Sequence, residues 1–325
     1  STSNKDILKN FYPVSDELKI NGEIHNLPFG KFHIFEKYLF TISHFLWSWR
    51  ISKKFAANKS IIYTRSDWIF YFLSKTNQNI TFECHQLSKI RKWVLKKSIK
   101  HSGSKIVFLN SQLLLDSKIN NSMNKSKLFV VPNGVDDEVF DFESNLIKGQ
   151  ILFLGNIERF SNDRNLKFII DCFKDTTVYE HFNLKIIGGD KKSANELTNY
   201  IKENSLDKKI KISQHVSRDV AVKYLKSSEI GLLINSDSNK HSTHYTSPLK
   251  YFEYLYSGLK VLAVDFPAHR NLPFSKNIVF FENNNSQSLK KALLDIKDKK
   301  HVDKELLTEI TLDSRIKKIM KFINS

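Results

Sequence analysis

The sequence predicts an α/β protein made of two doubly wound, Rossmann-like domains, and three observations support this prediction. The chain has 325 residues, of which 41% are apolar, so it can bury two cores of ordinary domain size. From Ser60 onward, short apolar runs alternate with amphipathic segments of helical length, the pattern of parallel strands joined by helical crossovers. The stretch VVPNGVDDEVF ends a strand in Pro-Asn-Gly, a combination that breaks regular structure. We therefore place a domain boundary near residue 146.

The predicted elements follow in order along the chain. The first half contains the strands SIIYT, ITFEC, KIVFLN and LFVVP. The second half contains ILFLGN, LKIIGG, IKISQ, IGLLIN, KVLAVD and IVFF, with helical patterns between them such as LKFIIDCF, ANELTNYIKEN and DVAVKYLKSS. Residues 1–30 show neither a clear strand nor the glycine-rich turn that usually opens a doubly wound domain. We expect domains at 1–146 and 147–312, and a helix at 313–325 that packs back on the first domain.

The net charge of +17 favours an anionic partner, which on charge alone is nucleic acid, acidic lipid or a phosphorylated ligand. Residues 31–105 contain fifteen Lys or Arg and three acidic residues. Within this range, LSKIRKWVLKKSIKHSGSKIV places apolar residues near helical spacing beside a basic face, and FHIFEKYLFTISHFLWSWRISKKF is aromatic and ends in bases. Helices of this kind bind anionic membrane surfaces, and the same pattern also describes core helices with a solvated basic face.

The two cysteines, Cys84 and Cys172, each lie in an apolar run and are far apart in sequence. This favours buried thiols in a reducing compartment, and we therefore expect an intracellular protein. No stretch of about eighteen uncharged apolar residues and no signal peptide is visible in the sequence.

The stretch TSPLKYFEYLYSGLKVLAVD, residues 246–265, has the features of a ligand-binding helix. Ser247 suits an N-cap, Pro248 suits the first helical position and Gly258 suits a left-handed stop, so we predict a helix from Pro248 to about Ser257. It follows the strand IGLLIN, and in open α/β sheets the crevice at the carboxyl ends of the strands binds ligands. The free N–H groups at a helix start favour a phosphate.

Glu253 lies five residues beyond Pro248, or roughly 7.5 Å along the helix axis, which is close to the span between a diphosphate and its ribose. Lys250 lies three residues before Glu253 and shares its face. A carboxylate that accepts hydrogen bonds from two vicinal hydroxyls is a natural ribose clamp. The alternative is that Glu253 is an exposed helix residue paired with Lys250.

Together these stretches resemble glycosyltransferase family 4, a group of retaining, nucleotide-sugar-dependent enzymes of GT-B architecture. The resemblance rests on SPLKYFEYLYSGLKVLAVD, supported by PNGVDDEVF, ILFLGNIERFSNDRNLKFII and LKIIGGD, with weaker traces in YTRSDW and TFECHQLS. It implies two Rossmann-like domains with the active-site cleft between them. Residues 1–146 would then face the acceptor, and residues 147–312 would bind the nucleotide-sugar.

The resemblance also implies roles for individual residues. Glu253 would bind the donor ribose, and the helix start at Ser247, Pro248, Leu249 and Lys250 would hold the diphosphate.

Tyr245 stands where the family usually has a second glutamate that contacts the sugar, which leaves the identity of the sugar open. Asn156 follows Gly155 where an arginine is expected, Arg164 stands at the second basic position, and Arg159 is the candidate to compensate. His85 would approach the donor sugar, and it forms the catalytic set with Arg164 and Lys250.

The resemblance implies a retaining glycosyltransferase of bacterial surface polysaccharide biosynthesis: lipopolysaccharide, capsule or exopolysaccharide. The donor would be a UDP- or GDP-sugar and the acceptor a glycan or lipid-linked glycan, in the cytoplasm or on the inner face of the cytoplasmic membrane. No Asp-x-Asp motif or histidine ligand spacing occurs, so we expect neither a metal nor another cofactor. The alternatives are a catalytically silent nucleotide-sugar-binding scaffold, an inverting transferase or epimerase of the same architecture, and a nucleic-acid-binding protein. No nucleic-acid-binding motif is present, so we expect no nucleic-acid partner.

Overall fold

The structure is a computed structural model that describes residues 36–57, 60–76, 79–119, 124–137, 145–159 and 162–325. The expectation for residues 1–30 lies outside these ranges. The strands are β1 Ile62–Thr64, β2 Ile80–Cys84, β3 Ser104–Phe108, β4 Leu128–Val130, β5 Ile147–Leu154, β6 Glu158–Arg159, β7 Asn162–Asp163, β8 Asn183–Ile187, β9 Ile210–Ser213, β10 Ser228–Leu233, β11 Lys260–Val264 and β12 Ile278–Phe281. The ten predicted strands are confirmed. The short antiparallel pair of β6 and β7 was not predicted.

The helices connect these strands as the alternating pattern predicts. They are α1 Glu36–Phe55, α2 Asp67–Ser74, α3 Lys89–Ser98, α4 Ser111–Ser117, α5 Leu166–Cys172, α6 Thr176–His181, α7 Lys191–Glu203, α8 Arg218–Ser227, α9 Leu249–Tyr256, α10 Pro267–Arg270, α11 Ser286–Asp295, α12 Lys304–Leu307 and α13 Leu312–Asn324. In the described residues no helix is long and apolar enough to cross a membrane. Both cysteines are buried free thiols, as predicted.

Two parallel sheets carry the fold. The first has the strand order β1-β2-β3-β4, and the second has the order β12-β11-β10-β5-β8-β9. In the second sheet the chain runs outward from β5 through β8 to β9, then returns to pair β10 with the other side of β5. This is the doubly wound order, and its topological switch point lies between β5 and β10. Ligands of such sheets bind at the carboxyl ends of the two strands that flank this point.

The apolar runs of the second sheet are continuous because helices cover both of its faces. Along β5, Ile151 and Phe153 point into a core shared with α5, α7 and α11. Leu152 and Leu154 point the other way, into a core shared with α8 and α9. Successive side chains of a strand alternate between faces, so each core receives every second residue.

The chain divides into two compact units, 1–82 with 93–104 and 83–92 with 105–325. The boundary near residue 146 stays a prediction. In the first unit, Phe45 of α1 packs edge-on against Trp68 and Phe72, with ring centroids 4.9 and 5.2 Å apart. These contacts fasten α1 to α2.

The linker after β4 pairs with the chain that starts α13. The Val135 amide donates to the Ile310 carbonyl at 2.9 Å, and the Leu312 amide donates to the Val135 carbonyl at 2.7 Å. A Cβ on Gly134 would lie 2.8 Å from the carbonyl oxygen of Thr311, so only glycine allows this approach. The Pro-Asn-Gly stretch that marked the predicted boundary therefore has a packing reason for its glycine.

Helix α13 packs against β3 and β4. The ring of Phe322 stacks on that of Phe129, with centroids 5.1 Å apart. Lys105 Nζ donates to the carbonyls of Phe322 and Ile323 at 2.8 and 3.0 Å. A cation at a helix C-terminus satisfies the orphan carbonyls there and complements the helix dipole.

Candidate functional site

Helix α9 starts one residue later than predicted, and its N-terminus has no side-chain cap. Pro248 occupies the N-cap position in an extended conformation and makes no side-chain cap hydrogen bond. Ser247 does not cap the helix, so that prediction is wrong. Its Oγ accepts a hydrogen bond from the Asn133 amide at 2.9 Å, and its carbonyl accepts one from Asn133 Nδ2 at 2.6 Å. The linker after β4 therefore holds the serine. Gly258 has φ 82°, which confirms the predicted left-handed stop.

Glu253 is buried beneath two cations. The residue is 6% exposed, which contradicts the exposed helix residue of the alternative, although the pairing with Lys250 that the alternative includes is present. Its Oε1 lies 2.5 Å from Nη1 of Arg218, and its Oε2 lies 2.7 Å from Nζ of Lys250. The contact of Oε2 is an ion pair without the alignment of a hydrogen bond. Because each carboxylate oxygen has two lone pairs, both oxygens keep capacity for a further donor.

Arg218 is the residue of this cluster that sequence reasoning missed. It is the first residue of α8, which follows β9, and its side chain is 43% exposed. The sequence signal that could have identified Arg218 as a site residue is a basic residue at the start of a helix that follows a strand. The sequence does not say which helix starts lie side by side, so it could not pair this residue with Glu253.

Tyr254 joins the two strands at the switch point. Its hydroxyl accepts a hydrogen bond from the Leu154 amide at 3.0 Å and donates to the Leu232 carbonyl at 3.3 Å. Burial raises the pKa of Tyr254, the charge of Glu253 raises it further, and the charge of Arg164 lowers it. One phenol at the switch point thus lies within electrostatic reach of both Glu253 and Arg164.

Arg164 lies against the turn that follows β5. Its Nη1 is 3.3 Å from where a Cβ of Gly155 would lie, and Gly155 has φ 154°. The guanidinium carbon lies 5.9 Å from the ring centroid of Phe153. Arg164 is therefore half-buried against the sheet. Asn156 is exposed in the same turn, and the side chain of Arg159 lies outside the described part of the structure.

Tyr245 is engaged by a carboxylate from α4. Its hydroxyl donates to Asp116 Oδ2 at 2.5 Å, and Lys240 Nζ lies 2.6 Å from the same oxygen. Burial raises the pKa of Asp116, but hydrogen bonds from Lys240, Tyr245 and Gln112 outweigh this effect and bring that pKa to about 2. The hydroxyl of Tyr245 is thus used inside the protein, and its role in binding a donor stays a prediction.

His85 directly follows β2, as predicted for a residue at the carboxyl end of a strand, and its side chain is 33% exposed. Its Nε2 lies 3.4 Å from Oε2 of Glu83. The other oxygen of Glu83 is bound by Nη2 of Arg315, whose Nε donates to the Pro132 carbonyl at 2.8 Å. Sequence reasoning named neither Glu83 nor Arg315.

The predicted residues form two groups, and a series of hydrogen bonds connects the two. Arg164 lies against Gly155, which follows β5. Lys250 and Glu253 lie on α9, the helix whose Tyr254 bonds both strands of the switch point. His85 belongs to the other group, with Glu83 and Arg315. Arg315 binds the carbonyl of Pro132, and the next residue, Asn133, binds Ser247 just before α9. The linker after β4 is therefore common to both groups.

Residues 148–298 match the family model described as "Glycosyl transferases group 1". The match starts in β5 and ends just after α11, so it includes the switch-point residues and leaves out His85. It covers less than half of the chain. Comparison with curated proteins gives no match.

Solved structures resemble the chain over most of its length. A glycosyltransferase from Rickettsia africae ESF-5 is 16% identical, with 94% of this chain and 83% of that chain covered and a TM-score of 0.63. The lipopolysaccharide outer core galactosyltransferase WaaB is 13% identical, with 88% and 80% covered and a TM-score of 0.63. HepE from Anabaena, solved with UDP and glucose, is 12% identical, with 92% and 84% covered and a TM-score of 0.60.

These likenesses confirm the predicted fold class, a GT-B architecture with two parallel α/β sheets. At such low identity they carry the fold alone. The family match supports glycosyl transfer as the general activity of the site.

Proposed function

We propose that the protein is a retaining glycosyltransferase that moves a sugar from a UDP- or GDP-sugar to a glycan or lipid-linked glycan acceptor. The observation that carries the proposal is a buried carboxylate, Glu253, set beneath the uncapped start of α9 at the switch point of a doubly wound sheet. A helix start without a cap offers free N–H groups to an anion. The family match over residues 148–298 supports the same reading.

In this proposal the donor binds along α9. The amides of Leu249 and Lys250, next to Ser247 and Pro248, hold the diphosphate, and Glu253 accepts hydrogen bonds from the ribose hydroxyls. Lys250 and Arg218 contact opposite oxygens of the carboxylate, so both cations orient it before the ligand arrives. Pre-orientation reduces the entropy that ligand binding must otherwise overcome.

Catalysis then depends on stabilising the departing diphosphate. Negative charge grows on it as the sugar leaves, and groups aimed in advance at that charge lower the barrier. Lys250 and Arg164 are the basic side chains of the switch point, and a guanidinium donates in a plane to two phosphate oxygens. His85 approaches the sugar, and the leaving phosphate helps to deprotonate the acceptor hydroxyl. Arg159, Asn156 and Tyr245 complete the proposed donor site, which needs neither a metal nor another cofactor.

We also propose a pathway and a location for the reaction. The pathway is bacterial surface polysaccharide synthesis, and the location is the cytoplasm, on the inner face of the cytoplasmic membrane. Helix α1 exposes Tyr38, Leu46 and Trp49, and Lys53 Nζ lies 3.6 Å from the ring centroid of Trp49. Aromatic side chains beside bases suit the interface of an anionic membrane. We do not propose nucleic acid as a partner.

A catalytically silent nucleotide-sugar-binding scaffold is the second candidate. It is favoured by Tyr245, whose hydroxyl is tied to Asp116 where the resembled family has a glutamate facing the sugar. An active transferase releases nucleoside diphosphate as it transfers or hydrolyses the donor. A silent scaffold binds the nucleotide-sugar and releases none.

The test begins with a thermal-shift panel of UDP- and GDP-sugars. A ligand at one hundred times its Kd stabilises the folded state by about 2.7 kcal/mol, which is a clear rise in Tm. The responding sugar is then used to measure transfer and release of the nucleoside diphosphate. If no nucleotide-sugar binds, the proposal is wrong.

Glu253→Gln then tests the site itself. Loss of hydrogen bonds to a charged group weakens nucleotide binding by about 1.5–3 kcal/mol, or about 10- to 150-fold in Kd. Glu196→Gln on α7 is the matched control. It removes the same charge from a helix, but Glu196 is exposed and its ion pair with Lys192 is long, at 4.0 Å. Equal Kd values for Glu253→Gln and the wild-type protein would place the nucleotide elsewhere.

A further inference from the structure

Glu83 is a buried carboxylate near the end of a buried strand. It lies in β2, whose residues are all buried, and it is 1% exposed. Burying an ionised carboxylate is unfavourable unless it is paired and hydrogen-bonded. Such a residue therefore needs partners that use its charge, and the structure supplies one for each oxygen.

The first partner is Arg315 of α13, which binds Oε1 through Nη2. The same guanidinium donates from Nε to the carbonyl of Pro132 at 2.8 Å. Because the guanidinium is planar and its donors have fixed directions, two contacts in one plane fix the orientation of the arginine. Arg315 in turn fixes the carboxylate plane of Glu83.

The second partner is His85. Oε2 of Glu83 lies 3.4 Å from Nε2 of this histidine, two residues along the chain at the end of β2. The pair lies at an ion-pair distance without the alignment of a hydrogen bond. The charge of the carboxylate still favours a proton on Nε2, and contacts of catalytic groups are often long without substrate and tighten when it binds. A carboxylate at one ring nitrogen selects the tautomer and fixes the ring plane. Nδ1 is then the nitrogen that can meet a ligand.

We infer that Glu83 is a positioning residue for His85, and that Arg315 of the terminal helix holds Glu83 in place. The inference rests on the proposed function for the role of His85 in transfer. Its physical content, a histidine oriented by a carboxylate that an arginine orients, belongs to the free protein. The positioning set is Arg315, Glu83 and His85.

A purely structural role for Glu83 would be to fasten α13 to β2 through Arg315. Lys105 offers a matched control, because it also fastens α13. Its hydrogen bonds go to the carbonyls of Phe322 and Ile323 and do not involve Glu83. Lys105→Met therefore loosens the helix while leaving the carboxylate and the histidine together.

The kinetic test compares Glu83→Gln, His85→Ala, the double variant and Lys105→Met, with Tm measured for each. Removal of a carboxylate that orients a metal-ligating histidine costs about 10- to 100-fold in activity, and we take the same scale for a histidine that meets the donor sugar. We expect that loss in kcat for Glu83→Gln, with donor KM changed less than about threefold. In the His85→Ala background the same substitution changes kcat less than about twofold, because coupled residues are not additive. Lys105→Met lowers Tm and leaves kcat unchanged.

Three results would overturn the inference in an active enzyme. They are wild-type kcat in Glu83→Gln, fully additive losses in the double variant, and an equal loss of kcat in Lys105→Met. Glu83→Asp serves where the glutamine variant fails to fold, because it keeps a charge for Arg315 and withdraws the carboxylate from His85. It is expected to lose kcat in the same way.

A spectroscopic readout separates this inference from the proposed function. Ring nitrogen signals of His85 in a 15N-labelled protein are identified by their loss in His85→Ala. At a pH where the ring is neutral we expect the Nε2–H tautomer in the wild-type protein and a mixture of tautomers in Glu83→Gln. Identical tautomer populations in the two proteins would refute the positioning role, whether or not the protein transfers sugar. Failure of every donor to bind would refute only the proposed function.

Discussion

His269 predicts a loss of stability in mild acid. It lies in α10, directly after β11, and is fully buried. Its Nδ1 lies 2.8 Å from the Val264 carbonyl and donates to it, while Nε2 has no hydrogen-bond partner. Burial lowers the pKa of His269 from 6.5 to about 4, against opposing effects of the Val264 hydrogen bond and the Asp265 charge. A proton on this ring would be a buried charge with no acceptor at Nε2.

The sign and size follow from linkage. Because the pKa in the folded state lies below that of the unfolded state, the unfolded chain binds the proton first as the pH falls. The contribution is complete above about pH 6.5, falls between pH 6.5 and 4, and then stays constant. The lowering of the pKa from 6.5 to about 4 corresponds to about 3 kcal/mol in the free energy of unfolding. Asp116, with its pKa near 2, titrates below this window.

Urea unfolding at several pH values between 4.5 and 7.5 measures the effect. The general repulsion of a chain with net charge +17 also grows in acid, so the comparison is with His269→Gln, which removes the titrating ring. The variant should lose the steep part of the pH dependence, and His301→Gln, at an exposed histidine, should keep it. The same pH dependence in the wild-type protein and in His269→Gln would refute the reasoning.

Three further predictions concern the proposed function. Arg164→Met should lower kcat by about 10²–10³-fold, as expected for loss of one donor to a developing charge, and kinetics with saturating donor would measure it; an unchanged kcat would remove Arg164 from the leaving-group site. Excess EDTA should leave the rate of transfer unchanged after desalting, and restoration of a lost rate by Mg²⁺ or Mn²⁺ would contradict the expected independence of metal. Sedimentation with vesicles should show binding that requires anionic lipid and weakens in Trp49→Ala; Leu115→Ala, at an exposed apolar residue on α4, should bind like the wild-type protein, and equal binding of all three would argue against α1 as the contact.

Much of the fold was readable from local pattern. Apolar runs of strand length with helical segments between them identify the ten strands of the two sheets, because a strand covered on both faces must be apolar throughout. The hairpin of β6 and β7 has strands of two residues and carries no such signal. The stop of α9 was predicted because glycine favours the left-handed conformation that Gly258 adopts.

The site was readable only where its residues are close in sequence. Glu253 and Lys250 share a helix face at a spacing of three residues, and their contact was visible as a pattern. Ser247 has the composition of an N-cap, yet a residue from the distant linker, Asn133, uses its hydroxyl instead. Local preference lost there to a tertiary hydrogen bond.

The sequence by itself determined that the chain forms parallel α/β sheets and that a glutamate and a lysine share one turn of a helix after a strand. Periodicity and spacing along the chain are sufficient for both. Only the tertiary structure decided that Glu253 is buried, that Arg218 shares it, and that Glu83 and Arg315 flank His85. Those contacts join residues 35 to 232 positions apart, except for the neighbouring Glu83 and His85. Chain folding brings them together, and no local pattern records which distant charges meet.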